Sequence, residues 1–194
     1  MSGYEYNSTE PVNVKLSDLS KEERFLISES NTFCIYPWIH LHSYPTGETY
    51  PCCHADMQNS VGNNKTDSLE VIWNNPKMKE LRNDMLSSVP NKICEGCYEQ
   101  EEHGFFSGRK SANKHHGHHV PKALMTTDAG TIGAFKMSYW DIRFSNLCNL
   151  SCRSCGHIFS SSWHKDQSHL AEQAGDPNWK NENKVLLVSG KSKT

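Results

Sequence analysis

The stretch CIYPWIHLHSYPTGETYPCC, residues 34–53, sets two strand-like runs on either side of the turn formers Pro45, Thr46 and Gly47. Apolar and aromatic runs joined by such a turn predict a β-hairpin. The turn carries Cys34 back toward Cys52 and Cys53, so the hairpin also decides where the first thiols meet. The chain has eight cysteines in 194 residues, and the remaining ones lie downstream at Cys94, Cys97, Cys148, Cys152 and Cys155.

Working outward, residues 1–32 read as a polar arm with a short amphipathic helix around SKEERFLIS. After the hairpin, TDSLEVIWNNP offers Asp67 and Glu70 as a capping box. Pro76 then suits the first turn of a second helix that carries Met78, Leu81 and Met85 on one face. That helix leads to CEGC, residues 94–97, a knuckle that supplies two ligands from one rigid turn. Residues 104–134 are rich in Gly, Ser, Lys and His with little periodicity, and read as a linker. Their run HHGHH (His115, His116, His118, His119) fits either a transition-metal site or a solvated loop. FKMSYWDIRF, residues 135–144, predicts a buried strand with Met137 and Tyr139 on one side and Trp140, Ile142 and Phe144 on the other. Trp38, Trp73, Trp140 and Trp163 are expected in the core.

Composition limits the classes open to the chain. A hydrophobic content of 36% and a mean hydropathy of −0.70 argue against a membrane protein. The net charge of −2 gives no global field for nucleic acid or anionic lipid. The N-terminus has neither a basic start nor an apolar core, so it does not read as a signal peptide, and the expected location is the cytoplasm. In a reducing compartment, cysteines spaced CxxC and CxxxCxxC point to metal rather than to a disulfide framework.

Cys148, Cys152 and Cys155 lie on the loop leaving the predicted strand. Three thiolates leave one position of a metal centre open, as catalytic metal sites do. The run IRFSNLCNLSC completed to CxxxCxxC resembles the cluster loop of radical S-adenosylmethionine (SAM) enzymes. That resemblance implies a 4Fe–4S cluster on Cys148, Cys152 and Cys155 whose open iron binds SAM, cleaved with one electron from a donor to a 5′-deoxyadenosyl radical that acts on a substrate the sequence does not name. Cys34, twelve residues, Gly47, four residues and Cys52, followed by Cys94 and Cys97, resembles the SPASM domain and its shortened twitch form. By that resemblance these four cysteines ligate an auxiliary iron–sulfur cluster. Cys53 is left as an alternative ligand or a buried small residue, and His54 as structural.

The expected fold is α/β: a small cysteine-rich domain of hairpin plus helices over residues 33–103, the linker, and over 135–194 the start of a partial (β/α) barrel with a disordered tail. The sequence departs from the radical SAM pattern at Ser154, where the family usually has an aromatic residue. The thirty-nine residues after Cys155 are fewer than such a barrel uses, which implies a truncated core or one completed by a partner chain. Two other readings stay open. The triplet could be a zinc knuckle completed by His157 or His164, with a four-cysteine zinc site upstream, and the whole a metal-stabilised binding module. Arg143 and Arg153 flank the loop, either balancing cluster charge or forming surface ion pairs.

Overall fold

A computed structural model describes residues 15–141, 146–152, 154–156 and 159–175. The chain divides into two compact units, one made of Met1–His42 and Thr49–Asp141, the other of Ser43–Glu48 and Ile142–Thr194. Among the described residues no helix is long and apolar enough to cross a membrane.

The first unit opens with α1 (Lys21–Arg24), where Ser20 and Glu23 form a reciprocal capping box, and continues into a π turn over Phe25–Glu29. The predicted hairpin, whose tip Ser43–Glu48 belongs to the second unit, is present in shorter form: β1 (His42–Ser43) and β2 (Glu48–Tyr50), with β3 (Gly62–Asn63) paired beyond β2. Gly47 takes φ 99°, a left-handed conformation suited to glycine, and its N–H closes the turn onto the Tyr44 carbonyl. The run before β1 is not a strand. Pro37 starts a 3₁₀ turn over Tyr36–Trp38, which buries Trp38 completely.

α2 (Leu69–Trp73) begins one residue later than the predicted box, with Ser68 rather than Asp67 accepting a backbone N–H, from Val71. α3 (Pro76–Leu86) starts at the expected proline, capped by Asn75, and buries Met78, Leu81 and Met85 as predicted. Between them Arg82 is also fully buried, with no carboxylate partner among the described residues. Its guanidinium donates to the carbonyls of Pro37 (3.0 Å), Trp73 (2.7 Å) and Gly130 (3.4 Å) and to Asn74 Oδ1 (3.1 Å), and lies over the Trp73 ring. Burial lowers its pKa to about 10, which leaves it charged at neutral pH. Gly130, at φ 75°, is pressed against the Lys79 backbone where a side chain would clash.

Residues 104–134, expected as a linker, are helical and packed: α4 (Glu95–Glu102) is followed by α5 (Gly108–His116), a 3₁₀ turn over Gly117–His119, and α6 (Pro121–Leu124). Arg109, Ala112, Asn113, Val120 and Ala123 are buried. The expected strand is corrected too. Over 135–140 the backbone is irregular, because the N–H groups of Ser138 and Tyr139 both bond one acceptor, the Ile39 carbonyl, which is not a ladder. Asp141 makes a lone parallel bridge with His42, and residues 142–145 lie outside the described residues. Trp140 is 55% exposed rather than core.

Tyr139 stacks on Tyr36 and packs against His40 and His116. His40 is 1% exposed with Nδ1 3.1 Å from the Tyr139 carbonyl. Burial lowers its pKa from 6.5 to about 4, against the opposing pull of that carbonyl. A lowered folded pKa means that neutral His40 supports the fold above pH 6.5, and that this support is lost as pH falls through about 4.

In the second unit, the Tyr44 ring packs near Phe159. A 3₁₀ turn at Ser161–Trp163 leads into α7 (His164–Ala174), which ends at Gly175 in the left-handed conformation. The three short strands are the only ones among the described residues, and residues 176–194, with the apolar run 185–188, lie outside them.

Two of these buried groups have measurable effects on stability. Arg82→Met should cost about 3 kcal/mol in urea unfolding, because several buried carbonyls lose their donor at once. His40→Gln should flatten the loss of stability between pH 7 and pH 4.5, measured by unfolding midpoints of both proteins across that range.

Candidate metal centres

In the first unit the four cysteines come from three separate elements. Cys34 precedes the 3₁₀ turn at Tyr36–Trp38 and is 6% exposed. Its two neighbours are held by one side chain: Asn113 accepts the Ile35 N–H at 3.0 Å and donates to the Phe33 carbonyl at 3.0 Å. Arg109 donates to the same Phe33 carbonyl and to that of Ser30, both at 2.9 Å, while Glu101 holds its other face in a two-point ion pair. Cys52 follows β2 in a turn whose Asp56 N–H bonds the Ile93 carbonyl at 3.0 Å, tying it to the next element. Cys94 ends a 3₁₀ turn and serves as N-cap of α4, and Cys97 lies in the first turn of that helix. The knuckle is therefore a helix start, rather than a loop after a helix.

These thiols sense one another. Cys34, Cys52 and Cys97 are pushed up from the ordinary thiol value, and Cys94 to about 12, in each case first by burial. Neighbouring thiolates add to the rise: Cys52, Cys94 and Cys97 act on Cys34, Cys94 and Cys97 on Cys52, and Cys97 on Cys94. Donors aimed at the sulfurs act in the other direction. Nearby donors lie toward the sulfurs: the backbone N–H groups of Tyr36 toward Cys34, of His54 toward Cys52, and of Arg109 and Gly108 toward Cys97, while the Tyr98 hydroxyl, near Cys94, donates to the Thr32 carbonyl at 3.5 Å. The two N–H groups at Cys97 are the first of α5, so the helix start faces that sulfur. Gly108 comes so close to the His54 ring that a side chain there would clash. Two buried and two half-buried thiols that resist ionisation alone suit a group that supplies positive charge at their sulfurs.

Cys53, next to Cys52, is exposed rather than buried. The HHGHH run closes α5 and the turn after it. Burial comes first among the causes that lower the pKa of His116, His118 and His119, the last to about 4, and the His118 and His119 rings are 4.0 Å apart. Among the described residues no group of three or more His, Cys, Asp or Glu side chains is arranged to hold a metal ion.

In the second unit, Cys148 and Cys155 are half-buried and Cys152 is exposed. The loop is braced from 160–163. Ser161 and Ser162 hydroxyls donate to the Cys148 carbonyl (3.2 and 2.7 Å), the Ser160 hydroxyl donates to the Leu150 carbonyl (2.6 Å), and the Trp163 indole donates to the Cys152 carbonyl (3.2 Å). The Leu150 N–H points at the Cys148 sulfur at 3.4 Å. Trp163 is thus a loop brace and not core. Arg143, Arg153 and His157 lie outside the described residues, as does the side chain of His164.

Residues 34–98 match the family model of SPASM, an iron–sulfur cluster-binding domain. The match supports iron–sulfur binding here. It begins at Cys34 and takes in Cys52, Cys94 and Cys97. No curated protein and no solved structure matches the chain.

Arg109, Asn113 and Tyr98, which bond the backbone around Cys34, and the serines of 160–162 were not legible in the sequence. The one local signal for α5 was Ser107 ahead of a Gly-Arg-Lys start, which the structure uses as an N-cap.

In metal-free protein, iodoacetamide should label Cys53 and Cys152 first and Cys34 and Cys97 last, followed by peptide mass spectrometry. Asn113→Ala, which frees both neighbours of Cys34, should bring Cys34 labelling toward the rate of the exposed thiols.

Proposed function

We propose that this is a radical SAM protein with an N-terminal auxiliary cluster domain. Cys34, Cys52, Cys94 and Cys97 would hold the auxiliary iron–sulfur cluster, and Cys148, Cys152 and Cys155 a 4Fe–4S cluster with an open iron for SAM. The observation that carries the first half is the family match over residues 34–98, within which Cys34, Cys52, Cys94 and Cys97 lie near enough to raise one another's pKa. The second half rests on the CxxxCxxC spacing and on a braced loop that keeps one of its thiols exposed. When bound, such a cluster supplies one electron for cleavage of SAM to a 5′-deoxyadenosyl radical, and an external donor must provide that electron.

The chain's own residues divide the work. In the first unit, Asn113 and Arg109 fix the Cys34 segment, and the start of α5 offers two N–H groups to Cys97. Burial keeps water from the sulfurs and protects iron–sulfur bonds from hydrolysis. In the second unit, Ser161 and Ser162 hold the Cys148 carbonyl, so the loop keeps its shape while Cys152 faces solvent. Barrel strands contributed by a partner chain would complete the SAM site.

A metal-stabilised binding module is the competing reading, and metal identity separates the two. Anaerobic reconstitution should yield brown protein with iron and sulfide for two clusters. Replacing Cys148, Cys152 and Cys155 together by alanine should remove one cluster and leave the other. Colourless protein with stoichiometric zinc would overturn the proposal, and iron content unmoved by the triple replacement would remove the SAM-binding cluster from it.

A further inference from the structure

We infer that the corner between α5 and α6 is a binding site for a phosphate monoester group, built by His118, His119 and Lys122 with Lys136 and Ser138 from the irregular segment that follows. This site lies outside both cysteine sets and needs no metal at either.

From His103 to Thr127 the chain contains no aspartate or glutamate, yet it carries Arg109, Lys110, Lys114, Lys122 and five histidines. Arg109 is taken up by its pairing with Glu101, and Lys110 lies 3.8 Å from the same carboxylate. His116, His118, His119, Lys122 and Lys136 make no ion pair among the described residues.

A solvated loop does not describe this corner, because it is packed. Gly117 is buried, and Val120 and Ala123 are fully buried, which holds the turn between its two helices in place. The His116 ring lies 5.9 Å from that of Tyr36 and 5.1 Å from that of Tyr139, and the His118 and His119 rings are 4.0 Å apart. Lys122 reaches the later segment, where its Nζ donates to the Ser138 hydroxyl at 2.6 Å. Ser138 is itself fixed by its backbone N–H, which bonds the Ile39 carbonyl at 2.8 Å.

Each basic group raises the cost of charging the next. Burial comes first in lowering the pKa of His118, His119 and Lys122; Lys122 then acts on both histidines, and Lys136 on Lys122. No carboxylate is among the groups that act on them. At neutral pH the two imidazoles are therefore uncharged, each with one N–H to donate, and the lysines supply the positive charge. Like charges held together without a counter-ion work against the fold. Among the described residues these histidines are not arranged to hold a metal ion, so the occupant that offsets the charge is an anion.

The donor set selects which anion. A phosphate monoester carries a charge of about −1.5 to −2 at pH 7 and presents three strong acceptor oxygens. Two ammonium groups, a hydroxyl and two imidazole N–H groups match that demand. A carboxylate, with one charge and two oxygens, would leave most of these donors unused.

Isothermal titration calorimetry on the full reconstituted chain tests the site, in metal-scrubbed buffer of constant ionic strength, with ribose 5-phosphate, inorganic phosphate and acetate as probes. Wild-type protein should bind ribose 5-phosphate at least as tightly as inorganic phosphate, and at least about tenfold more tightly than acetate. Lys122→Met should weaken ribose 5-phosphate binding by about tenfold, the loss of one charge-assisted hydrogen bond. His118→Phe/His119→Phe, which keeps two rings and removes their N–H groups, and Ser138→Ala should each weaken it by about threefold or more. Lys65→Met removes the same charge from an exposed position elsewhere in the unit and should bind as wild type does. Circular dichroism checks that each variant is folded; if Lys122→Met is not, Lys122→Gln and Ser138→Ala carry the comparison. Wild-type affinity in the Lys122 and Ser138 variants, or an equal loss in Lys65→Met, would overturn the site. Acetate binding as tightly as the phosphates, or inorganic phosphate binding with ribose 5-phosphate excluded, would overturn its assignment to a phosphate monoester.

Discussion

The carbonyl of Phe33 is bonded twice, by Arg109 and by Asn113, and the residue after it is Cys34. That junction joins the start of the thiol-bearing segment to a helix nearly eighty residues downstream. Without it, Cys34 would sit on an irregular stretch with no strand or helix to define it. With it, both flanking peptide groups are satisfied in a buried setting, where an unpaired one would cost about 1–3 kcal/mol. The ion pair to Glu101 completes the brace, and because Glu101 belongs to α4 it links the Cys34 segment to the helix that carries Cys97. One polar network thus sets the positions of two thiols from opposite ends of the domain.

That network explains which parts of the fold could be read from the sequence. The hairpin turn at Pro45–Gly47 and the helix opened by Pro76 are written in local chemistry: a left-handed glycine, a proline at the first helical position, and apolar residues at 78, 81 and 85. Their structural counterparts match closely. α5 is different because its inward residues are Arg109, Ala112 and Asn113, so the helix has no apolar stripe and its composition reads as a linker. Its burial is decided by polar partners at Ser30, Phe33 and Ile35, which no window around residue 110 contains. The strand expected over 135–144 fails for the converse reason. Its alternation is real in the sequence, but Tyr139 is drawn to Tyr36, His40 and His116, and that aromatic cluster outweighs a ladder.

The cysteine motifs were legible because ligand spacing is a local property, and the spacing of Cys34, Gly47 and Cys52 is what the family match also covers. The surroundings of the sulfurs were not. The N–H groups of Gly108 and Arg109 lie toward Cys97 from the start of α5. Those donors influence how readily a cluster accepts an electron, since hydrogen bonds to sulfur raise its potential. They depend on tertiary packing and leave no pattern in the chain.

The two cysteine sets also differ in a way that bears on their proposed roles. Cys34 and Cys97 are buried, and Cys52 and Cys94 are half-buried, with burial and mutual repulsion holding the metal-free thiols protonated. Such a site would bind metal only by releasing protons against that resistance, and an occupant held by the four sulfurs proposed here would be shielded once in place. The 148–155 loop is the reverse: three thiols, one of them exposed, held by serine hydroxyls that bond backbone carbonyls rather than sulfur. Leaving one thiol exposed and two half-buried gives up protection and gains access. A site that must admit a cofactor at one coordination position needs that access, whereas a site that only passes electrons is better closed. The distribution of burial between the two sets therefore follows the division of labour proposed for them.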